Sequence, residues 1–178
     1  MIIIDSRPSL RKPQPTMELT LCILKPHVVK APHILKAIQN VILSNQFHIV
    51  ESLTTAMTKQ QTEIFYSEHK DKFFYNRLVT QMISGPSEIN ILARENAITK
   101  WRELLGPTKV YIARFSHPYS IRGMYGISDT RNAAHGSDSP ESTAREIEIF
   151  FPHFSIPEWL RDYNHEPIVH GRHTGVNR

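Results

Sequence analysis

The chain has 178 residues, 40% of them hydrophobic and 21% charged, the proportions of one globular domain with tails and a core of ordinary size. Its formal charge of +4 suits anionic ligands such as nucleotides, while no run of Lys and Arg is dense enough to make nucleic acid the first reading. Cys22 is the single cysteine, which excludes an internal disulfide or cysteine-rich metal site and favours a reducing, intracellular setting; no apolar stretch approaches a membrane span, so no membrane partner is expected.

Residues 1–16 read as a separable leader. Arg7, Arg11 and Lys12 outnumber Asp5, and Pro8, Pro13 and Pro15 oppose any helix, so a disordered leader is expected and a transit peptide is the alternative. Met17 offers an alternative start. Leu19 to Leu24 then reads as a buried strand ended by Lys25-Pro26. Pro32 opens a helix with Ile34, Ile38, Val41 and Ile42 on one face, and Phe47, Ile49 and Leu53 mark a second strand. Two helices follow, Lys59 to His69 and Phe74 to Ser84, the second with Leu78 and Met82 inward and Gly85-Pro86 as its stop. Ile89 to Ala93 is a third strand. Asn96 is expected to cap a helix carrying Ala97, Trp101, Leu104 and Leu105, which stops at Gly106-Pro107.

A long loop is expected from Thr108 to Thr130. His135 lies on or beside a last strand, and Ser139-Pro140 opens a helix through Phe150. The order β-α-β-α-α-β-α-β-α fits an α+β fold, a ferredoxin-like sandwich of an antiparallel sheet with additional helices. That gives a leader over 1–16, a domain over 17–151 and a polar tail over 152–178. The tail carries His153, His165, His170 and His173 without a helical i, i+4 pair, so it reads as solvated, with metal binding the alternative.

The segment Arg131-Asn132-Ala133-Ala134-His135-Gly136-Ser137-Asp138-Ser139 holds the densest chemistry. Imidazole accepts and returns a phosphoryl group near neutral pH, because its neutral form has a free nitrogen lone pair. Around His135 stand hydroxyls, backbone donors and a helix start, and Glu146 on that helix is able to fold back toward it. A partly buried histidine bonded to a turn is the competing account. Lys25 at a strand end either pairs with phosphate oxygens or caps a strand edge. Arg122, followed by Gly123 inside the long loop, reads as a directional grip on phosphate, the glycine letting the backbone approach a ligand. Arg102, off the apolar face of its helix, reads as a solvated charge paired with Glu95 or Glu103. Phe74 either packs in the core or stacks on a base, and Tyr66 either touches an imidazole or faces solvent. His27, His33, His48 and His69 read as surface or packing residues.

Together, Leu24-Lys25-Pro26, Phe73-Phe74, Ser84-Gly85-Pro86, Leu105-Gly106-Pro107-Thr108, Ile121-Arg122-Gly123 and the Arg131 to Ser139 block resemble, in that order, the nucleoside diphosphate kinases. The likeness runs from about Leu19 to Phe151 and is strongest to a divergent group within the family. It implies a ferredoxin-like core and Mg²⁺-dependent ping-pong transfer of a γ-phosphoryl group, mainly from ATP, through a phosphohistidine to a nucleoside diphosphate. By the same likeness His135 matches the phosphorylated histidine, and Lys25, Arg102, Thr108, Arg122 and Asn132 match the phosphate and ribose binders. Phe74 matches the base-stacking ring, and Tyr66, Ser137 and Glu146 match the supporting shell. No direct protein ligand to the metal is expected; Asp138 would reach Mg²⁺ through water.

The chain departs from the family pattern in a longer loop between Thr108 and Arg122, in Asp129-Thr130 where Val-Gly is usual, and in its C-terminal tail. The family hexamer is therefore set against a monomer or a hetero-complex. A weakly active kinase-fold regulatory subunit working with a partner is the alternative function. A carboxylate at Asp129 either accepts from the exocyclic amines of a base or is solvated and plays no part in selectivity. The basic leader and the resemblance together favour the mitochondrion over the cytoplasm.

Overall fold

The computed structural model describes residues 16–165, with the side chains of Asn164 and His165 left aside. The expected leader, apart from Thr16, and the tail beyond His165 lie outside the described residues. Four strands make one antiparallel sheet: β1 (Met17–Leu24), β2 (His48–Thr55), β3 (Ser87–Glu95) and β4 (Ala134–Gly136), in the spatial order β2-β3-β1-β4. This is the strand order of a ferredoxin-like α+β sandwich, as the sequence pattern implies.

The helices are α1 (Pro26–Val29), α2 (Pro32–Ser44), α3 (Lys59–Phe65), α4 (Tyr75–Met82), α5 (Ala97–Leu105), α6 (Val110–Ser116), α7 (Ile121–Tyr125), α8 (Pro140–Phe150) and α9 (Ile156–His165), with a 3₁₀ turn at Ser67–His69. Their starts are chemically marked. Pro32 and Pro140 occupy first-turn positions where a missing N–H costs nothing. Thr58 with Gln61, and Ser139 with Ser142, form reciprocal capping boxes at α3 and α8.

The central strands β1 and β3 are buried along most of their length, Thr20, Glu88 and Asn90 included, because helices cover both faces of the sheet. On β1 the side chains alternate: Leu19, Leu21 and Ile23 join a core with Phe65, Tyr66, Met82, Ile147 and Phe150, while Cys22 and Leu24 join a second core with Ile38, Ile42, Trp101 and Leu105. The edge strand β2 leaves Ile49 and Leu53 partly exposed.

Several local expectations need correction. The stretch from Thr108 to Thr130 contains α6 and α7, which bury Val110, Ala113 and Ile121. Helices of seven and five residues are too short to announce themselves by periodicity and exist by packing. Asn96 does precede α5, but it adopts a left-handed conformation (φ 53°) and its side chain makes no capping bond; the Glu18 carboxylate accepts from the Ile98 amide instead (2.9 Å). Gly123 does not open the backbone to a ligand. A Cβ there would lie 2.4 Å from the His117 carbonyl oxygen, so the glycine lets α7 pack against the turn after α6. Finally, α9 adds an element after Phe150, and Phe154, Ile156 and Trp159 pack on the first core.

Candidate active site

Strand pairing sets His135 at the sheet edge. It stands opposite Ile23 in the β1–β4 register and so projects on the side of the first core, where the Phe65 ring meets it edge-on at 4.9 Å between centroids. On the other face Gly136 has no side chain because Trp101 lies against it: a Cβ would fall 2.4 Å from Trp101 Cδ1. The Trp101 indole donates to the His135 carbonyl at 3.0 Å, so backbone and ring are held from opposite sides.

Helix α8 turns a buried face made of Thr143, Glu146, Ile147 and Phe150 toward the sheet. Glu146 comes back to His135, with His135 Nε2 2.9 Å from Glu146 Oε2. Ser137 donates its hydroxyl to the same oxygen at 2.7 Å and accepts from the Leu21 amide at 3.1 Å. An ionised carboxylate only accepts, so the proton of a neutral His135 sits on Nε2 and its lone pair on Nδ1. Among the described residues Nδ1 has no hydrogen-bond partner.

A cavity of about 1240 Å³ opens in front of this imidazole. Lys25, Tyr66, Phe74, Arg102, Thr108, Arg122, Asn132, His135, Asp138 and Glu146 all line it. The one expected site residue not on its wall is Ser137, fully buried behind Glu146. A smaller cleft of about 510 Å³ adjoins it and shares Arg102 and Asp138.

The cations are set against one another. Lys25 precedes α1, is almost fully buried, and donates Nζ to the Thr130 carbonyl at 3.1 Å. Burial, and then the Arg122 guanidinium, push its ammonium down to about 7. Arg122 on α7 donates to the Gly106 carbonyl (2.7 Å) and the Ala134 carbonyl (3.1 Å). Its Nε is buried without a partner among the described residues, as is Asn132 Oδ1. Burial and the nearby Arg102 push Arg122 down to about 10. Arg102 does not pair with Glu103, which takes Lys100 instead. Burial, with the Glu146 carboxylate behind it, holds the Tyr66 phenol well above its ordinary range, so Tyr66 is neutral. Asp138 lies on the rim, held below its usual range chiefly by the Ser142 hydroxyl, which donates to it at 2.7 Å.

Two further features were not read from the sequence. Asp129 Oδ1 accepts from the Val110 amide at 3.0 Å, so one of its oxygens caps α6. His27 is not isolated: its Nδ1 lies 3.4 Å from Gln81 Nε2, and Gln81 Oε1 accepts from Arg131 Nε at 3.0 Å. A glutamine inside an amphipathic helix carries no sequence signal of such a role, and nothing in the Arg131 to Ser139 block ties Arg131 to an amide on α4.

A histidine bonded to a carboxylate, on the wall of a cation-lined cavity in a ferredoxin-like sandwich, has the chemistry that nucleotide phosphotransfer asks for. The sequence model described as nucleoside diphosphate kinase matches residues 18–156, and the chain belongs to that family. It is similar to nucleoside diphosphate kinase 6 of Danio rerio, 49% identical over 161 residues that cover 90% of each protein. It is similar also to nucleoside diphosphate kinase 6 of Homo sapiens, 45% identical over 172 residues, 94% of this chain and 92% of that one. The crystal structure of the Aquifex aeolicus nucleoside diphosphate kinase superposes with a TM-score of 0.72 at 36% identity, covering 80% of this chain and 98% of the other. Membership supports a kinase that binds nucleotides. Among the described residues no helix is long and apolar enough to cross a membrane.

Proposed function

We propose that the chain transfers the γ-phosphoryl group of a nucleoside triphosphate, mainly ATP, to a nucleoside diphosphate through a phosphohistidine on His135. The observation that carries this reading is the Glu146–His135 bond at 2.9 Å, which leaves the Nδ1 lone pair free on an imidazole that lines a cavity with the buried Lys25 and the part-buried Arg122.

In the first half-reaction Nδ1 attacks the γ-phosphorus and an N–P bond forms. The bond from phosphorus to the β–γ bridging oxygen breaks, and the diphosphate leaves with the electron pair. In the second, a terminal oxygen of another nucleoside diphosphate attacks, the N–P bond breaks, and its pair returns to Nδ1. Glu146 holds the ring and offsets the positive charge that the imidazole gains, and Ser137 fixes Glu146. Arg122, Arg102 and Lys25 stand where charge spreads over the equatorial oxygens, which is most of what phosphoryl transfer needs. Thr108 and Asn132 are within reach of phosphate and ribose, and Phe74 offers a ring for the base. Neutral Tyr66 lines the same cavity, its ring edge-on to Phe65, which in turn meets the imidazole.

Among the described residues no three carboxylate, imidazole or thiol groups converge on a metal. Asp138, exposed on the rim of the cavity, would meet a Mg²⁺ through water, and the nucleotide's own phosphates would be the ion's main ligands. When bound, the ion offsets charge on the β- and γ-phosphates.

The test is incubation with γ-labelled ATP. The expected result is acid-labile, alkali-stable phosphate on the native chain and none on His135→Ala; label persisting in the variant would sink the assignment of the nucleophile.

A second reading, a weakly active nucleotide-binding subunit that works with a partner, is favoured by one observation. Phe115 and Tyr119 are 93% and 89% exposed on the segment that carries α6 and α7. Robust turnover of nucleoside diphosphates by the chain alone removes it.

A further inference from the structure

Segment 130–134 supplies the Thr130 carbonyl for Lys25, the amide of Asn132 and the approach to His135. It runs through Ala133 in the left-handed region (φ 72°), a conformation that a residue with a Cβ holds only when its surroundings impose it. Part of that imposition is plain: Lys25 donates its amide to the Ala133 carbonyl at 3.0 Å and its Nζ to the Thr130 carbonyl. The rest comes from outside the cavity. Arg131 does not line the cavity, and its Nε donates to the buried amide of Gln81 on α4.

Because Gln81 Oε1 is taken by Arg131, its Nε2 must be the atom that faces His27, and Nε2 only donates. His27 Nδ1 is therefore the acceptor and its proton sits on Nε2, an atom that is buried and without a partner among the described residues. The imidazole must stay neutral for the bridge to exist. Burial, then Lys25 and Arg131, push His27 down to about 4, which keeps it so near neutral pH.

We propose that Gln81, through His27 and Arg131, is a positioning residue of the nucleotide site. Its one amide ties segment 130–134 to α4, which begins behind Phe74, and to α1, which begins behind Lys25. The base platform and the phosphate grip are thereby held at a fixed separation. This rests on the kinase reading of the site.

The experiment measures MgADP binding by calorimetry, and phosphorylation of His135 at saturating labelled ATP, in the full chain. Gln81→Leu removes both bonds, and we expect MgADP affinity to fall roughly tenfold while labelling at saturation stays within about twofold, since Glu146 and His135 are untouched. Gln81→Glu keeps an acceptor for Arg131 but has no donor for His27 Nδ1, and recovers part of the affinity. Unchanged MgADP affinity in a folded Gln81→Leu, or a Gln81→Glu as weak as the leucine variant, overturns the proposal. Should Gln81→Leu fail to fold, long-range ¹⁵N–¹H correlation on the native chain decides: a protonated Nε2 on His27 supports the bridge and a protonated Nδ1 overturns it. A native chain that neither binds MgADP nor labels brings down the kinase reading and the positioning role with it. Native binding with an indifferent Gln81→Leu brings down the positioning role alone.

Discussion

The two walls of the cavity are built on opposite terms. The wall from β4 and α8 is closed: Glu146 Oε2 receives both His135 and Ser137, Ser137 accepts from Leu21, and the His135 carbonyl receives Trp101. The wall from α1, α7 and segment 130–134 is open, with like charges pressed together and Arg122 Nε and Asn132 Oδ1 unpaired among the described residues. A satisfied network holds a nucleophile still. An unsatisfied cationic one is unfavourable alone and relieved by an anion, so the cost of assembling it is recovered when phosphate binds.

The largest test of this contrast is on the closed wall. Glu146→Gln puts an amide against Nε2, which removes the charge and no longer fixes the tautomer. We expect the rate of His135 labelling to fall roughly 10²–10⁴-fold, measured by single-turnover quench, with MgADP affinity little changed. A comparable loss of affinity would mean that the two walls do not act separately.

A smaller effect sharpens the picture of the open wall. Lys25 falls from an ordinary 10.5 to about 7 on folding, so the unfolded chain holds more protons between those values. Its contribution to stability is full above about 10.5 and is lost as pH falls through 7. A bound polyphosphate favours the charged ammonium and reverses this. Nucleotide binding at pH 8 should therefore take up a fraction of a proton, read by calorimetry in buffers of different ionisation enthalpy. Lys25→Met should abolish the uptake, and uptake that survives in that variant would assign it elsewhere.

The smallest effect separates the rim from both walls. With Asp129 Oδ1 on the Val110 amide, Asp129→Val should cost about 1 kcal/mol of stability in denaturant unfolding, as loss of a helix cap does. It should leave the relative kcat/KM for GDP, CDP, UDP and TDP unchanged. A shifted profile would return the carboxylate to base selection.

What the sequence disclosed follows from how each feature is encoded. The buried run of β1, the amphipathic faces of α2 and α5 and the proline-started α8 are periodic or capped, so they were legible. So was the approach of Glu146 to His135, because a strand followed by a tight turn and a helix brings such a pair together. The short helices α6 and α7 were not legible, since packing rather than periodicity forms them. The separation of roles among the cations was also hidden. Nothing in the letters tells Lys25, buried and lowered, from an ordinary edge lysine. The Gln81 bridge was invisible because it joins three segments distant in sequence through one unremarkable side chain.

The indole bond to the His135 carbonyl has an optical consequence. Of the two tryptophans in the chain, Trp101 bonds the His135 backbone from the far face of the sheet, while Trp159 belongs to α9 and packs on the first core. In Trp159→Phe the emission spectrum comes from a single chromophore bonded to the residue proposed to carry phosphate. Turnover would then be followed in real time by the protein's own light, without a coupled enzyme or a dye.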